Sequence, residues 1–516
     1  MFRNILSVGG LTLVSRLGGF IRDVVMAAVL GAGPVADAFL VAFRLPNHFR
    51  AIFAEGAFNA AFVPTYARLR EQEGVAGARA FADEILTAMM LVHGVLLALA
   101  LGFTPQFVAA LAPGLADDPE RFGLAVTLTR ITFPYLALIS VATLVSGALN
   151  ASDRFAMAAA APILMNICMI GTLLGAAWFP TAGHAAAWGV LISGVAQLFA
   201  VGWDAERHGI GLRFGKPKLD PGTRQFLRAL GPAVIGSAGV QIALFADTII
   251  ATFLPSGALS ALYYADRINQ LPIGVVGIAV GTVLLPEMSR RLAAADDAGA
   301  AHAQARSIEL ATLLAIPFVA ASLMVPDLTM RALFARGAFT NADAAAAAAT
   351  LQAYGLGLLA FVVVRAFIAP FHARGDTRTP MIASLTAVGL NVALKFALMG
   401  SLAQVGLALG TAVGGWINVG LLVFFAVRRG FPVGDDLLGG HLARLAIVLA
   451  VVGAALFGAQ MAAQALLPHG FPAREEVMLA FVVLGGGAVY AGSVFLLLGR
   501  RFLGGVMGRG RPPVPA

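Results

Sequence analysis

The chain has 516 residues, of which 59% are hydrophobic and 12% are charged, and its mean hydropathy is +0.86. A soluble globular chain carries about 25% charged residues, so this composition excludes a water-soluble enzyme and indicates a protein of the lipid bilayer. The single cysteine, Cys168, excludes an intramolecular disulfide and a cysteine-rich metal site. The net charge of +8 rests on 32 Arg against 3 Lys. Arginine is favoured for bidentate phosphate contacts, although a GC-rich genome produces the same bias.

Fourteen apolar runs separated by polar stretches fill the chain, and each is long enough to cross a bilayer as a helix, which takes about 20 residues. Residues 136–149 (LALISVATLVSGAL) show no polar and apolar alternation, so helices are predicted over the strands of an outer-membrane barrel. The predicted fold is therefore an all-α polytopic membrane protein with 14 transmembrane helices. The runs lie at 4–31, 34–66, 83–112, 122–150, 157–179, 185–204, 226–254, 259–289, 307–335, 343–372, 379–400, 405–428, 441–467 and 475–499.

The basic residues between these runs are unevenly distributed. If the amino terminus is cytoplasmic, 21 Arg and Lys residues fall on the cytoplasmic side and four on the other. The positive-inside rule then predicts that both termini are cytoplasmic and that the number of spans is even. A cleaved signal peptide over residues 1–20 is a weaker alternative, because Arg16 interrupts the apolar segment and no small-residue cleavage motif precedes a mature domain.

The longest basic loop, residues 204–225, separates six predicted spans from eight, and the sequences on its two sides are similar. Arg44 and Pro46 precede FVPTYARL, and Arg267 and Pro272 precede LLPEMSRRL at a similar distance. Such internal similarity is typical of duplicated transporter lobes, although unrelated turns in membrane proteins also use the same few short motifs. We predict two pseudo-symmetric six-helix lobes and a terminal helix pair. Their bounds are 1–208 for the first lobe, 209–225 for the basic loop, 226–430 for the second lobe, and 431–516 for the terminal pair and tail.

Ionisable side chains occur deep inside the first, second and eighth predicted spans. A charge at mid-bilayer costs about 2.5 to 3.5 kcal/mol even on lenient insertion scales, so these side chains are expected to face water or partners. Gly18-Gly19, Pro46 and Pro272 interrupt the same spans, and broken helices expose backbone groups that a hydrated cavity can satisfy. Mutual pairing of the charges as packing devices is the alternative, but their number favours a shared cavity.

The excess of arginine among these charges predicts an anionic ligand. Guanidinium groups in a low-dielectric cavity bind diphosphate or carboxylate through paired hydrogen bonds. Asp37 and Arg44 lie seven residues apart and therefore share one face of a helix. The candidate substrate-binding residues are Arg16, Arg22, Asp37, Arg44, Arg50, Glu55, Asp266 and Arg267.

A second polar group lies in the seventh, eleventh and twelfth predicted spans. Asp247, Asn391 and Thr411 would suit a sodium ion or a proton, but Lys395 adds an ammonium group to the same apolar stretch. We predict that Asp247 and Lys395 form an ion pair where a coupling cation would otherwise bind.

Motifs of soluble catalysis are missing from the sequence. It contains no GxxxxGK[ST] phosphate loop, no HExxH metal helix and no GxSxG nucleophile turn. We therefore expect a transporter rather than an enzyme, with no cofactor, no metal ion and no nucleic-acid partner. A membrane-bound glycosyl- or phosphotransferase would need an acidic metal-binding motif at the membrane face, and the sequence offers none.

Six segments resemble the signature segments of MurJ (MviN), the lipid II flippase family of bacterial inner membranes. The resemblance extends from the first predicted span to the twelfth and is weakest over the terminal pair. It implies the multidrug/oligosaccharidyl-lipid/polysaccharide exporter fold, with two lobes round a central cavity. The segments are SRLGGFIRD (15–23), ADAFLVAFRLPNHFRAIFAEGAFNAAFVP (36–64), RITFPY (130–135), YYADRINQLPIGVVGIAVGT (263–282), LFARGAFT (333–340) and HARGDTRTP (372–380).

This resemblance implies that the chain moves lipid II, the undecaprenyl-diphosphate-linked peptidoglycan precursor, to the periplasmic leaflet by alternating access. Asp37 and Glu55 would be acidic companions, and Arg44 and Arg365 stand where some relatives carry lysine, which preserves the charge. The terminal helices would border a groove for the lipid tail. By matching positions, the diphosphate would be bound by Arg16, Arg22, Arg50 and Arg267.

The implied location is the bacterial inner membrane, which the chain crosses many times. The implied partners are lipid II and membrane lipids, with proteins of the cell-division and elongation machinery as further candidates. The main rival is a cation-coupled drug exporter, or an exporter of another polyprenyl-linked oligosaccharide, of the same superfamily. A drug exporter would need acidic cavity residues rather than five arginines.

Overall fold

The computed structural model describes residues 2–53, 57–215, 220–468 and 470–506. These residues form 17 α-helices and contain no β-strand, which confirms the prediction of an all-α chain. A single π-helical turn joins α10 to α11. The helices are α1 (Phe2–Leu30), α2 (Pro34–Phe53), α3 (Ala57–Gly102), α4 (Thr104–Leu111), α5 (Pro119–Thr132), α6 (Tyr135–Asn150), α7 (Ala156–Leu174), α8 (Ala182–Arg207), α9 (Pro221–Thr252), α10 (Ala258–Pro272), α11 (Ile278–Ala293), α12 (Asp297–Met324), α13 (Pro326–Phe334), α14 (Asn341–His372), α15 (Arg378–Arg428), α16 (Leu438–Leu466) and α17 (Arg474–Val506).

Nine helical stretches in the described part of the chain are long and apolar enough to cross a membrane. The chain is therefore a multi-pass membrane protein, while the count of 14 spans stays a prediction. Helices α1, α2 and α10 are not among the nine. These three carry most of the ionisable residues predicted for the site.

Two of the long helices are hairpins rather than continuous rods. Helix α3 turns at Gly74, whose φ is +73°, and Phe62 on one arm stacks on Phe81 of the other with ring centroids 5.5 Å apart. Helix α15 turns at Ala403, and a Cβ on Gly406 would lie only 2.7 Å from the carbonyl oxygen of Leu398. Each of these helices therefore folds back on itself as two antiparallel arms.

The chain divides into two compact units, of which unit 1 comprises residues Met1–Ser260 and Arg336–Thr340. An aromatic cluster packs the two arms of α3 against the start of α9. Phe226 meets Phe58 edge to face with ring centroids 5.5 Å apart, and it meets Phe81 in the same way at 6.1 Å. This cluster fixes the position of α9 in unit 1.

A short segment late in the chain also belongs to unit 1. The backbone N–H of Ala338 donates to the carbonyl of Ala28 at the end of α1, over 2.7 Å. Gly337 has a φ of +59°, and a Cβ there would lie 2.2 Å from the same carbonyl oxygen, so only glycine allows this approach. The segment 336–340 is thereby attached to the end of α1.

Unit 2 comprises residues Ala261–Ala335 and Asn341–Ala516. Its apolar core joins α11, α12 and α14, and a second apolar cluster joins α12 to α16 and α17. One polar contact reinforces this second join. Glu309, fully buried on α12, forms an ion pair with Arg306 through Oε2 and accepts a hydrogen bond from Nδ1 of His441 of α16 through Oε1, each over 2.7 Å. Glu309 therefore joins α12 to α16.

Candidate functional site

Arg22 is the most firmly held of the predicted site residues in unit 1. Its Nε and Nη2 both donate to Oδ1 of Asp23, at 3.1 and 2.7 Å, and its Nη1 donates to Oδ1 of Asn166 on α7 at 3.2 Å. Only 8% of the residue is exposed. The neighbouring carboxylate and amide therefore fix the plane of the guanidinium group.

Two glycines of α1 allow this arrangement. The amide nitrogen of Asn166 also donates to the carbonyl of Ser15, at 3.0 Å. Asn166 therefore contacts α1 at Ser15 and at Arg22, on either side of Gly18 in the sequence. A Cβ on Gly18 would lie 3.3 Å from the Asn166 amide nitrogen, which is tighter than most real contacts. The double glycine predicted to bend α1 instead lets α7 approach closely. Asn166 was missed in the sequence, where its signal is a lone amide inside an apolar run.

Arg16 and the arginines of α2 are more accessible than Arg22. Arg16 lies exposed on α1, six residues before Arg22, while Arg44 and Arg50 are half-buried. The Nε of Arg50 donates to Oδ1 of Asn47 at 3.1 Å, and the Asn47 amide donates to the carbonyl of Phe43 at 2.8 Å. Asn47 therefore orients Arg50 at the end of α2. Glu55, the predicted acidic companion, lies outside the described residues.

Asp37 differs from what its spacing to Arg44 led us to expect. The residue is fully buried, and each carboxylate oxygen accepts two hydrogen bonds, so its capacity to accept is filled. The ion pair with Arg121 joins α2 to α5. The donors are Nη2 of Arg121 at 3.1 Å, the backbone N–H of Gly257 at 2.8 Å, and the N–H and hydroxyl of Ser260 at 3.1 and 2.8 Å.

The position of these donors explains the difference. Gly257 and Ser260 lie at the start of α10, whose first N–H groups have no partner within the helix. The carboxylate of Asp37 on α2 accepts hydrogen bonds from these N–H groups and so caps α10, although the residues are more than 200 positions apart in the sequence. Neither Arg121 nor Ser260 was among the predicted site residues, because a contact between residues so far apart in the sequence leaves no local signal.

Arg267 and Asp266 lie on α10 in unit 2, and each has a neighbour four residues away. The Nη2 of Arg267 donates to the hydroxyl of Tyr263 at 3.1 Å, and its Cζ lies 4.7 Å from the Tyr263 ring centroid. This is a cation–π contact combined with a hydrogen bond. Asp266 accepts a hydrogen bond from Gln270. Tyr263 was missed in the sequence, although its spacing of four from Arg267 is a usable signal.

The second predicted polar group is divided between the two units. Asp247 is half-buried on α9 in unit 1, whereas Asn391, Lys395 and Thr411 lie on the two arms of α15 in unit 2. Lys395 is 2% exposed and lies against Gly410, where a Cβ would come within 2.8 Å of its side chain. The Asn391 Oδ1 is buried and accepts no hydrogen bond. The ion pair of Asp247 with Lys395 stays a prediction.

Metal ligands do not gather in the part of the chain that the structure describes. No group of three His, Cys, Asp or Glu side chains within those ranges could hold a metal ion. The charged side chains form pairs and short networks instead, and arginine supplies the cation in most of them. Several of the buried charged side chains among the described residues are thus paired with one another.

Comparison with known proteins identifies the family. The family model described as "Lipid II flippase MurJ" matches residues 26–474. A protein of Rhizobium meliloti named "Probable lipid II flippase MurJ" is 46% identical over 459 residues, which are 87% of this chain and 85% of that protein. A protein of the same name from Rhizobium tropici is 41% identical over 510 residues, covering 97% and 95%.

Solved structures show the same fold. The structure titled "Lipid II flippase MurJ, inward closed conformation" matches with a TM-score of 0.77 at 23% identity, covering 95% of this chain and 98% of that one. An inward-facing multidrug resistance MATE family transporter of the MOP superfamily matches with a TM-score of 0.68 at 15% identity, covering 82% and 97%. These two likenesses concern the fold, whereas the family model and the closer relatives identify the family. The chain belongs to the MurJ family of lipid II flippases.

Proposed function

We propose that this chain flips lipid II from the cytoplasmic to the periplasmic leaflet of the bacterial inner membrane by alternating access. Both termini are cytoplasmic in this proposal. The observation that carries it is Arg22, a buried guanidinium group held in one orientation by Asp23 and Asn166. A fixed guanidinium inside a helical membrane protein is suited to a diphosphate, which accepts paired hydrogen bonds.

The proposed binding residues divide into direct contacts and supporting groups. Arg44 adds positive charge on the same helix as Arg50, and Asp266 and Glu55 are the acidic companions of the arginines. Asp37 acts at a distance from the ligand in this proposal, because its carboxylate is filled by four donors. The diphosphate itself is bound by Arg16, Arg22, Arg50 and Arg267.

The proposal describes transport without covalent chemistry. Lipid II enters and leaves unchanged, so no nucleophile, general base or metal is required of the chain. Membrane lipids surround the protein, and proteins of the division and elongation machinery would supply and consume the substrate. The inside-negative potential favours outward movement of an anion by about 2.3 kcal/mol per charge per 100 mV.

The lipid tail is proposed to lie against the terminal helices. An apolar cleft of about 290 Å³ lies between α12 and α16, and its lining includes Ala446, Ala450 and Gly453. A Cβ on Gly453 would lie 3.3 Å from Cγ of Met324. Gly453→Leu is therefore expected to fill the cleft and lower transport about tenfold, the scale of an overpacking penalty. Gly458→Leu on the same helix is the control, since nothing lies within 4 Å of its Cβ position.

Lys395 is proposed to stand in for a coupling cation. Lys395 is buried on the first arm of α15, four residues after Asn391, and its side chain packs against Gly410 on the arm that carries Thr411. Transport by the wild-type chain in sealed vesicles should then be unchanged when sodium is replaced by potassium. A sodium requirement would contradict this part of the proposal.

A complementation experiment tests the proposed function. Cells depleted of their own lipid II flippase would express the chain or its variants, and the lipid II accessible at the outer leaflet would be measured. Wild type and Arg224→Ala, which changes an exposed arginine of α9, should restore accessibility. Arg22→Ala should not restore it. Failure of the correctly folded wild type to restore accessibility would contradict the proposal.

A further inference from the structure

A cavity of about 610 Å³ lies inside unit 1, and its lining includes neither Arg22 nor Asp37. Side chains of six helices surround it, namely α1, α2, α3, α6, α7 and α8. Its volume falls in the range of about 300 to 1,000 Å³ that is usual for small-ligand pockets. The polar residues on which its chemistry depends are Arg50, Asn59, Tyr135, Thr143, Ser146 and Gln197.

The charge of this cavity comes from one residue. Arg50 is the only charged side chain among the described residues of the lining, which includes no carboxylate. A cationic ligand would therefore meet a positive charge without a counterion. One guanidinium group is instead suited to a single anionic substituent on a ligand that is otherwise neutral.

The neutral part of the lining is polar and held in place. Tyr135 and Gln197 are 2% and 3% exposed, and the Gln197 amide donates to the carbonyl of Ser193 at 3.2 Å. The Thr143 hydroxyl donates to the carbonyl of Ile139 at 2.8 Å, so its oxygen is left to accept. The Asn59 Oδ1 is buried and accepts no hydrogen bond. Fixed hydroxyl and amide groups of this kind match a ligand that is rich in hydroxyl groups.

An acyl or prenyl chain fits this lining poorly. It would cover the amides and hydroxyls without offering them hydrogen bonds, and unsatisfied buried polar groups are costly. The alanines of α7 and the Tyr135 ring supply apolar surface for the faces of a sugar ring, while the polar groups meet its edges.

We propose that this cavity binds the sugar that is joined directly to the diphosphate, with Arg50 contacting the phosphate. The inference rests on the proposed function, since it assigns part of the lipid II headgroup to a second subsite. The ligand class is a glycosyl diphosphate. Arg50 is positioned for this role by Asn47, which accepts from its Nε at 3.1 Å.

Binding to the purified full-length chain tests the inference. The two probes are geranyl diphosphate, used as the methyl ester of its terminal phosphate, and the analogue in which N-acetylglucosamine replaces the methyl group, so that both carry the same charge. Wild type should bind the sugar-bearing probe about tenfold more tightly, as expected from one or two additional hydrogen bonds. Thr143→Val and Gln197→Leu should each remove most of this preference without changing the affinity for geranyl diphosphate. Arg50→Ala should weaken binding of both probes.

Thr127→Val is the matched control. Thr127 is exposed on α5, and its hydroxyl donates to the carbonyl of Gly123 at 2.9 Å, as Thr143 does to its own helix. The control should keep the sugar preference. Equal affinity of wild type for the two probes, or an equal loss for both in the Thr143 variant, would overturn the inference.

A labelling experiment guards against misfolded variants. Ser146→Cys would be introduced together with Cys168→Ser, so that the only thiol lies in the cavity. The sugar-bearing probe should slow maleimide labelling at least several-fold more than geranyl diphosphate does. Equal rates with both probes would overturn the inference. Lipid II flipping by the wild-type chain in vesicles is measured separately. If wild type flips lipid II but shows no preference for the sugar-bearing probe, the sugar subsite is refuted and the proposed function is not.

Discussion

Arg22 in unit 1 and Arg267 in unit 2 make contacts of different kinds. Arg22 is bound to a carboxylate and an amide and is nearly buried, whereas Arg267 is half-buried and lies over the neutral ring of Tyr263. Asp23 accepts two hydrogen bonds from Arg22, while Tyr263 offers Arg267 an aromatic face and a hydroxyl on the same helix. The difference teaches that Arg22 also supports the packing of α1 on α7, whereas the Tyr263 contact of Arg267 lies within one helix; in our proposal both arginines bind the diphosphate.

Replacement of Arg267 should have the largest effect on transport. Arg267→Ala removes a charge-assisted contact to the diphosphate, which corresponds to a loss of up to about 100-fold. The protein should remain folded, because Tyr263 keeps its place on α10 without the guanidinium group. Flipping in vesicles and thermal unfolding in detergent measure the two effects. Arg378→Ala, an exposed arginine at the start of α15, is the matched control.

A large loss of stability in Arg267→Ala would contradict the difference between the two arginines, because it would show that Arg267 also stabilises the fold. Arg267→Lys sharpens it further. Lysine keeps the charge but not the planar fork, so partial transport is expected. Full transport by the lysine variant would mean that charge alone matters at this position.

Replacement of Arg22 should reduce both transport and stability. Arg22→Ala leaves the Asp23 carboxylate and the Asn166 amide buried without their main donor. Breaking a buried ion pair from one side costs about 3 kcal/mol or more. The measurement is the unfolding transition in detergent, alongside flipping. Unchanged stability with lost transport would mean that Arg22, like Arg267, acts in transport without stabilising the fold.

Asp37, unlike the two arginines, is a buried acid, and its carboxylate accepts four hydrogen bonds. Asp37→Asn replaces two acceptor positions by an amide N–H group, which would face the donors of Gly257 or Arg121. A loss of about 2 kcal/mol in the free energy of unfolding is expected. Ser260→Ala, which removes one donor only, should cost about 1 kcal/mol. A neutral Asp37→Asn variant would show that its hydrogen bonds contribute little.

The smallest effect is expected at the exposed turn before α15. Burial alone would raise the pKa of Asp376, but hydrogen bonds from Thr379 and the Arg429 ion pair outweigh it and lower the pKa to about 2. Since the folded pKa lies below the ordinary value of 3.8, the stabilisation is complete above 3.8 and is lost as the pH falls through about 2.

Asp376→Asn should therefore cost about 0.5 kcal/mol at neutral pH, as exposed ion pairs usually do. The stability difference between wild type and the variant should shrink as the pH falls below 4, which unfolding at a series of pH values measures. A difference that grows on acidification would have the wrong sign for this carboxylate.

The helices were largely predictable from the sequence, whereas the partners of the charges were not. Apolar runs located the helices because membrane spans need long apolar stretches. The contact between Arg22 and Asn166 joins residues 144 apart, and that between Asp37 and Gly257 joins residues 220 apart. No periodicity within one helix encodes which helix it will meet, so the buried role of Asp37 became visible only in the structure.

The local sequence did carry part of the site. Arg267 and Tyr263 are four residues apart on one helix, so their contact follows from helical geometry. The hairpin turn of α15 had weaker signals, because Ala403 adopts a φ of +45° that alanine seldom adopts. Short-range contacts could therefore be predicted, and tertiary constraints that override local preference could not.

The most direct test is flipping of headgroup-labelled lipid II in vesicles that contain only the purified chain. Wild type and Arg378→Ala should move the label across the bilayer much faster than protein-free vesicles do, and Arg267→Ala should not exceed that background. A folded wild type that gives no more transfer than empty vesicles, or an Arg267→Ala variant that matches it, would contradict the account.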